Sequence, residues 1–134
     1  MIDHVSVAVR DLAKAEPFYA ALLAPLGMRK LREWPDAAVG FGKKYPEFWI
    51  NRRAAMARVA PDSGVHICMR ATDTRAVEDF HAAALKAGGT SDGAPGRRAE
   101  YHESYYAAFI RDPDGNRIEA VTFLRDADDS PERG

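Results

Sequence analysis

A segment near the start of the chain recurs in its second half. Residues 2–27, IDHVSVAVRDLAKAEPFYAALLAPLG, align without a gap with residues 64–89, GVHICMRATDTRAVEDFHAAALKAGG. The identical pairs are His4/His66, Asp11/Asp73, Glu16/Glu78, Phe18/Phe80, Ala20/Ala82, Ala21/Ala83, Leu23/Leu85 and Gly27/Gly89. The chain is therefore a duplicated strand and helix module, and each copy carries a histidine on its opening strand. Two equivalent histidines in related halves can converge on one point, where a third group would complete a metal site.

Composition narrows the classes of function. The chain has 134 residues, which fits one compact domain, and no apolar run approaches the roughly 18 residues of a membrane span. No signal peptide is recognisable, so we expect a cytoplasmic protein that does not enter the membrane. Nineteen basic and 20 acidic residues offer no large basic surface, so nucleic acid is not an expected partner. The single Cys68 is expected to be a small buried hydrophobic residue.

The first module predicts a strand, a helix and a meander of short strands. Over residues 2–9 the sequence alternates, which places three valines on the face toward the helix and His4 and Ser6 on the other. Asp11 is the predicted N-cap of an amphipathic helix that ends near Pro25 and Gly27. Short apolar segments broken by proline and glycine follow over residues 28–51, as in a meander of strands.

The second module repeats this order. It predicts a strand over residues 65–71, a helix capped by Asp73, and a loop over residues 88–96. Two strands then follow, over residues 105–110 and 117–123, and the sequence between them, DPDGN, is a strong turn signal. Because the second half repeats the scheme of the first, we assign a βαβββ module to each half, and the fold class is α+β.

The predicted organisation is one domain over residues 1–124. Module one covers residues 1–51, a linker covers residues 52–63, and module two covers residues 64–124. We expect residues 125–134 to be a disordered tail, because they contain almost no apolar side chain.

The opening DHVSVAVRDLAKAEPFYAALLAPLG and the closing YYAAFIRDPDGNRIEAV resemble the vicinal oxygen chelate superfamily. That superfamily groups glyoxalases, extradiol dioxygenases, fosfomycin-type thiol transferases and bleomycin-binding proteins. The resemblance covers about residues 2–124 and implies two tandem βαβββ modules whose mixed sheets curl into an open, glyoxalase-like cleft. In the family, metal ligands come from the first strand of each module and from a last strand. Carried over to this chain, these positions are His4, His66 and Glu119.

The residues themselves indicate the same three ligands by a partly separate route. His4 and His66 alternate away from the apolar faces of their strands. Glu119 lies between Ile118 and Ala120, so its carboxylate points to the face opposite the side chains of these two neighbours. Two imidazoles and one carboxylate suit a divalent Fe, Mn, Ni, Co or Zn ion and leave positions open for substrate oxygens. A solvated pair of Glu119 with Arg117 or Arg111 is the alternative reading.

Other candidate residues are less specific. In glyoxalase-like relatives a glutamate on the last strand of module one is both ligand and base. Here Ile50 is taken as the equivalent of Glu119, so Glu47 reaches the cleft only in a different register. Glu47 and His102 are the candidate catalytic residues, with a surface charge and a loop histidine as their alternatives.

Substrate contacts are predicted at four further positions. Ser6 follows the first histidine by two residues, as a Ser or Thr does in fosfomycin-type relatives. Aromatic side chains predicted to line an apolar cleft include Trp49, Tyr105 and Tyr106, although such residues often belong to the core. Extradiol dioxygenases carry a tyrosine ten residues before the glutamate, where this chain has Phe109.

Two functions remain open from the sequence. The first is a metal-dependent enzyme, a lyase or isomerase of the glyoxalase type, a dioxygenase or a thiol transferase, acting on a small molecule with adjacent oxygens. The second is a non-catalytic protein that binds a small molecule or an antibiotic in the same cleft. The resemblance also implies a homodimer, in which modules of two chains can share one site.

Overall fold

The computed structural model describes residues 1–125, and the predicted tail lies almost wholly outside the described residues. Module one contains β1 (Val5–Val9), α1 (Leu12–Leu23), a short 3₁₀ turn (Ala24–Leu26), β2 (Arg29–Trp34), β3 (Ala38–Gly42) and β4 (Phe48–Arg52). Module two contains β5 (His66–Arg70), α2 (Thr74–Lys86), β6 (Thr90–Arg97), β7 (Tyr105–Arg111) and β8 (Arg117–Phe123). The predicted α+β class with two βαβββ modules is confirmed. No helix among residues 1–125 is long and apolar enough to cross a membrane.

The two sheets have the same topology. Their strand orders are β1-β4-β3-β2 and β5-β8-β7-β6, with the first pair parallel and the others antiparallel in each sheet. The duplication visible in the sequence is therefore a duplication of fold. Neither sheet is closed, and each keeps one face free of its own helix.

Side-chain alternation sets which face of each first strand is buried. Val9 is fully buried, and Val5 and Val7 pack against the same core, as the sequence predicts. In β5 the corresponding apolar residues are Ile67 and Met69. Because successive residues of a strand point to opposite faces, the residues between them face the open side of each sheet.

The helix boundaries follow the predicted caps. The Asp11 side chain accepts a hydrogen bond from the backbone N–H of Lys14 at 3.2 Å. The Asp73 side chain accepts one from Ala76 at 2.8 Å. Each bond satisfies one of the free N–H groups in the first turn of its helix, which is why the helices begin where they do.

Two predicted boundaries are wrong. The first strand begins at Val5 rather than near residue 2, so His4 lies just before it. The Gly, Ser and Pro-rich segment predicted as a loop over residues 88–96 instead forms β6, which pairs with β7 through two register shifts. Backbone hydrogen bonds to the regular strand β7 hold this irregular edge strand. Its Gly, Ser and Pro residues are typical of loops, which is why the sequence did not predict a strand here.

A buried hydrogen-bond network joins the modules. The Tyr19 hydroxyl of α1 donates to Asp112 Oδ2 at 2.5 Å, and the Asn116 amide donates to the backbone oxygen of Ala8 at 2.8 Å. Asp112 and Asn116 belong to the predicted turn between β7 and β8, where Gly115 adopts a φ of 91°. The turn that closes module two therefore also fixes the position of module one.

Candidate functional site

The open face of module two brings two of the predicted ligands together. His66 is the first residue of β5, and Glu119 lies on the neighbouring β8. The His66 Nε2 and Glu119 Oε1 atoms are 2.9 Å apart. The Glu119 side chain is only 2% exposed, whereas that of His66 is 37% exposed. A carboxylate so deeply buried requires partners, because removing a charge from water is costly.

Tyr105 and Cys68 complete the surroundings of this carboxylate. The Tyr105 hydroxyl donates a short hydrogen bond to Glu119 Oε2, and Cys68 lies directly opposite Glu119 in the β5–β8 register. Burial, followed by the hydrogen bond to Glu119, raises the pKa of Tyr105 above its usual range. Partial removal of the thiol from water, followed by the negative charge of Glu119, raises the pKa of Cys68 to about 12. Both groups are therefore neutral donors beside the carboxylate near pH 7.

Cys68 is exposed rather than buried, so the expectation that it is a core residue was wrong. Alternation explains the difference, because Ile67 and Met69 take the core positions on either side. Cys68 also has the same place in its module as Ser6 has in module one. The alignment of the two halves contains this signal, since both residues follow a module histidine by two.

His4 lies apart from the His66 and Glu119 pair. Its side chain is 54% exposed, and its Nδ1 is 2.7 Å from Asp3 Oδ1, which also accepts a hydrogen bond from the Tyr45 hydroxyl. It lines a cavity of about 380 Å³ between the modules, together with Glu47 and Cys68. Within residues 1–125 no three His, Cys, Asp or Glu side chains lie close enough together to hold a metal ion.

The donor atoms that do meet fit a metal ion in chemistry and spacing. Two cis ligands of an octahedral ion, each about 2.1 Å from it, lie about 3 Å apart. The separation of 2.9 Å between His66 Nε2 and Glu119 Oε1 matches that requirement. The pair thus fits two of the three predicted ligand positions, and within residues 1–125 no third His, Cys, Asp or Glu completes a set of three.

The strand register decides what module one offers in place of Glu119. Cys68 pairs with Glu119 in module two, and its equivalent Ser6 pairs with Trp49 in module one. Trp49 is therefore the equivalent of Glu119, and the alignment of Ile50 with it was one residue off. The conclusion that module one lacks a carboxylate at this place holds. A shift of one residue reverses which face a side chain occupies, and sequence alone could not fix it.

The remaining predicted residues of module one lie near the cleft. Glu47 precedes β4 and is exposed, and its backbone oxygen accepts a hydrogen bond from the Val5 N–H at 2.9 Å. Because Val5 pairs with Phe48, Glu47 lies beside His4. The Ser6 hydroxyl accepts a hydrogen bond from the Asn51 amide at 2.6 Å. These positions agree with an open, polar edge to the cleft.

Of the predicted aromatic contacts in module two, only Tyr105 faces the cleft. Tyr106 lies in the main core and is 5% exposed, and its hydroxyl donates to Glu78 of α2 at 2.8 Å. Its assignment to the substrate was wrong, because adjacent strand residues point to opposite faces. His102 is exposed in the turn before β7, where its Nδ1 accepts a hydrogen bond from the Ser104 N–H at 3.0 Å.

An apolar patch flanked by two arginine side chains lies on the open face of module two, beside His66. Phe109 packs with Ala107 and Val121 on the open face of module two. The guanidinium carbons of Arg117 and Arg98 lie 4.3 and 5.6 Å from the centre of the Phe109 ring. Sequence reasoning missed this patch, although the alternation of β7 places Phe109 on the same face as Tyr105.

Comparisons with known proteins agree with this architecture. Residues 1–120 match the model of the Glyoxalase/Bleomycin resistance protein/Dioxygenase superfamily. A search of curated protein sequences gave no match. The two-module fold and the match over most of the chain define the class of protein: the chain belongs to the glyoxalase/bleomycin resistance protein/dioxygenase superfamily.

Solved structures include relatives of several kinds. A glyoxalase/bleomycin resistance protein from Albidiferax ferrireducens T118 is 31% identical, with a TM-score of 0.77 over 91% of this chain and 98% of that one. A lactoylglutathione lyase from Agrobacterium tumefaciens is 20% identical, with a TM-score of 0.63 over 91% and 92% of the two chains. A genomically encoded fosfomycin resistance protein from Listeria monocytogenes is 14% identical, with a TM-score of 0.65 over the same shares. The last two show the shared fold alone.

Proposed function

We propose that the chain is an enzyme that binds a small molecule with two adjacent oxygens at a divalent metal ion. The ligands are His66 and Glu119 of one copy and His4 of a second copy. The observation that carries the proposal is the 2.9 Å approach of the His66 imidazole to the buried Glu119 carboxylate. Membership of the glyoxalase/bleomycin resistance protein/dioxygenase superfamily supports it.

The sharing of the site between copies follows from the position of His4. In one chain His4 is paired with Asp3, and it joins no cluster of three ligating side chains within residues 1–125. It is more than half exposed, so it is available to another chain. A twofold dimer in which module one of each copy faces module two of the other would bring a third nitrogen ligand to each His66 and Glu119 pair.

The chain's own residues prepare the site in three ways. Tyr105 donates to one oxygen of Glu119 and so orients the carboxylate with its other oxygen toward His66. The burial of Glu119 limits competition from water for its lone pairs. We assign Glu47, which is exposed beside His4, as the base that would take a proton from a substrate carbon, and His102 as the second candidate for acid or base work.

A divalent ion, when bound, would supply positive charge for negative charge that develops on the two substrate oxygens. The open face must also admit substrate, and the partial exposure of His66 leaves that approach free. Isomerisation, thiol addition and oxygen insertion share this arrangement, so the proposal names the chelating substrate class and not one product.

Cobalt binding tests the proposal directly. We expect the wild-type protein, stripped with EDTA and titrated with Co²⁺, to bind one ion per chain with the visible absorption of a coordinated cobalt ion. His66→Ala, Glu119→Ala and His4→Ala should each weaken binding at least tenfold, because each removes one ligand. His81→Gln is the matched control, since His81 lies on α2 and bonds to Ser91 at 2.8 Å.

The control should bind cobalt like the wild type. Circular dichroism of each variant verifies that the fold is intact. Folded wild-type protein that takes up no Co²⁺, Ni²⁺, Mn²⁺, Fe²⁺ or Zn²⁺ would refute the proposal and favour a protein that binds its ligand in the cleft without a metal. Loss of binding in His81→Gln alone would also contradict the assigned ligands.

A further inference from the structure

A cavity of about 480 Å³ lies on module one, away from the His66 and Glu119 pair. Its walls include Trp34, Trp49 and Tyr45, and two cations, Arg32 and Lys44, also line it. Trp34 and Trp49 are the only tryptophans in the chain. A volume of this size suits a small organic molecule rather than a peptide or a single ion.

The two indoles form an inclined edge-to-face pair, so a flat ligand ring would lie against the exposed surface of Trp34 rather than between them. Their centroids are 6.0 Å apart and their planes are inclined by 61°. The Trp49 Nε1–H donates to the backbone oxygen of Pro46 at 3.1 Å, which fixes the orientation of that ring. Trp34 is 63% exposed although it is large and apolar, so a ligand that covers it would remove apolar surface from water.

A glycine makes the space in which the Trp49 indole lies. Gly40 pairs with Trp49 across β3 and β4, and a Cβ at that position would be 2.9 Å from two atoms of the indole ring. In module two the equivalent pair is Phe109 and Glu119. The first module thus has a large ring over a glycine where the second has a ring beside a carboxylate, so its open face offers an aromatic surface instead of a carboxylate.

The charge around the cavity favours an anion. Arg32 and Lys44 have no ion-pair partner among residues 1–125, whereas the nearby Lys30 is held by Glu16 and Glu33. The Tyr45 hydroxyl donates its hydrogen bond to the Asp3 carboxylate. Two unpaired cations beside an aromatic wall attract a negatively charged group and repel a cation.

We propose that the Trp34 and Trp49 cavity binds a planar aromatic acid, with its ring against the indoles and its carboxylate toward Arg32 and Lys44. This inference rests on the proposed function, since in the proposed dimer the face of module one that carries this cavity would lie opposite the His66 and Glu119 pair of the second copy. The substrate would then be a small aromatic molecule that bears an anionic group in addition to its adjacent oxygens. The open faces of the two modules would enclose such a molecule in the proposed dimer.

Binding of 1-naphthoate to the EDTA-treated protein tests the inference without any metal or turnover. Both tryptophans belong to the cavity, so the two indole N–H signals in a ¹H–¹⁵N spectrum should both shift during the titration. Naphthoate should bind at least tenfold more tightly than cyclohexanecarboxylate, which has the charge but no aromatic ring. It should bind about fivefold more tightly than 1-naphthalenemethanol, which has the ring but no charge.

Matched variants separate stacking from charge. Trp34→Ala should weaken naphthoate binding about tenfold, through lost ring contact. Arg32→Gln should weaken it about threefold at low salt and less at high salt, because exposed charges are screened. Arg29→Gln removes the same charge from the same strand outside the cavity and should leave binding unchanged.

Gly40→Ala should also weaken binding, by displacing the Trp49 ring while both tryptophans and all charges remain. Unshifted indole signals, or equal affinity for naphthoate and cyclohexanecarboxylate, would overturn the inference. Failure of naphthoate to bind a protein that binds cobalt refutes the aromatic acid alone. Naphthoate binding by a protein that binds none of the metals refutes the metal site and retains the cavity.

Discussion

Tyr19→Phe tests how the two modules are held together. It removes one oxygen atom, the hydroxyl that donates to Asp112 Oδ2 at 2.5 Å. Tyr19 is fully buried and Asp112 is 2% exposed, so water does not replace the lost donor. Asp112 retains its bonds from the Asn116 amide and from the backbone N–H groups of Asp114 and Asn116.

The expected loss follows from the charge of the acceptor. Hydrogen bonds to ionised groups contribute about 1.5–3 kcal/mol, so Tyr19→Phe should lower the free energy of unfolding by about that amount near pH 7. Burial raises the pKa of Asp112 above 3.8, against the lowering effect of the bonds from Tyr19 and Asn116. An acid whose pKa is raised by folding destabilises the fold as the pH rises and the group ionises.

Removing the Tyr19 hydroxyl should therefore raise the pKa of Asp112 further and cost most where that carboxylate is ionised. At pH 4 the folded protein holds Asp112 partly protonated, the bond becomes one between neutral groups, and the loss should shrink toward about 1 kcal/mol. Tyr19→Phe should therefore lower the free energy of unfolding more at pH 7 than at pH 4.

Urea unfolding at both pH values, followed by circular dichroism, measures these differences. Tyr45→Phe is the control, because it deletes the same atom from an exposed tyrosine whose hydroxyl also bonds to an aspartate, Asp3. Its unfolding midpoint should match the wild type, since an exposed bond is replaced by water. Equal midpoints for Tyr19→Phe and the wild type at pH 7, with equal slopes, would refute the reasoning.

Three further substitutions test other parts of the structure. Burial lowers the pKa of His81, so the wild type should lose stability from pH 7.5 to 5.5 as the unfolded state gains a proton, and His81→Gln should lose less in paired urea titrations. Gly115→Ala should cost about 1–3 kcal/mol in the same assay, because φ is 91° and the new Cβ would lie 2.9 Å from the Val59 oxygen; an unchanged midpoint would contradict this. Tyr105→Phe should weaken cobalt binding about tenfold by releasing Glu119, and unchanged affinity would exclude that supporting role.

The sequence predicts the fold well because the same strand and helix pattern occurs in both halves, so each half supports the interpretation of the other. The caps at Asp11 and Asp73, the valine face of β1 and the turn after β7 depend on local chemistry, which sequence expresses directly. Strand β6 escaped prediction because pairing with β7 holds it, against the preferences of its own Gly, Ser and Pro residues.

The site was less predictable, and the reason is register. Alternation placed His66 and Glu119 on one face, and the structure brings their atoms together. Alternation also requires the side chains of Tyr105 and Tyr106 to point to opposite faces of β7, and the sequence prediction overlooked this. Whether Trp49 or Ile50 replaces the carboxylate in module one depends on one residue of strand pairing, which no pattern in β4 records.

Whether His4 comes close to His66 and Glu119 depends on the placement of the two modules, which strand alternation does not describe. The position of His4 becomes interpretable only with the cavity that His4 lines and the exposed side chain it presents.

Mixing His4→Ala with Glu119→Ala tests the shared metal centre most directly. Neither variant should bind cobalt tightly alone. After exchange of subunits, checked by native mass spectrometry, each mixed dimer would contain one site with His66, Glu119 and the intact His4. Half the dimers are mixed and each has one of two sites, so about one quarter of the wild-type cobalt capacity should return. No recovery in mixed dimers, or tight binding by His4→Ala alone, would contradict a site built from two chains.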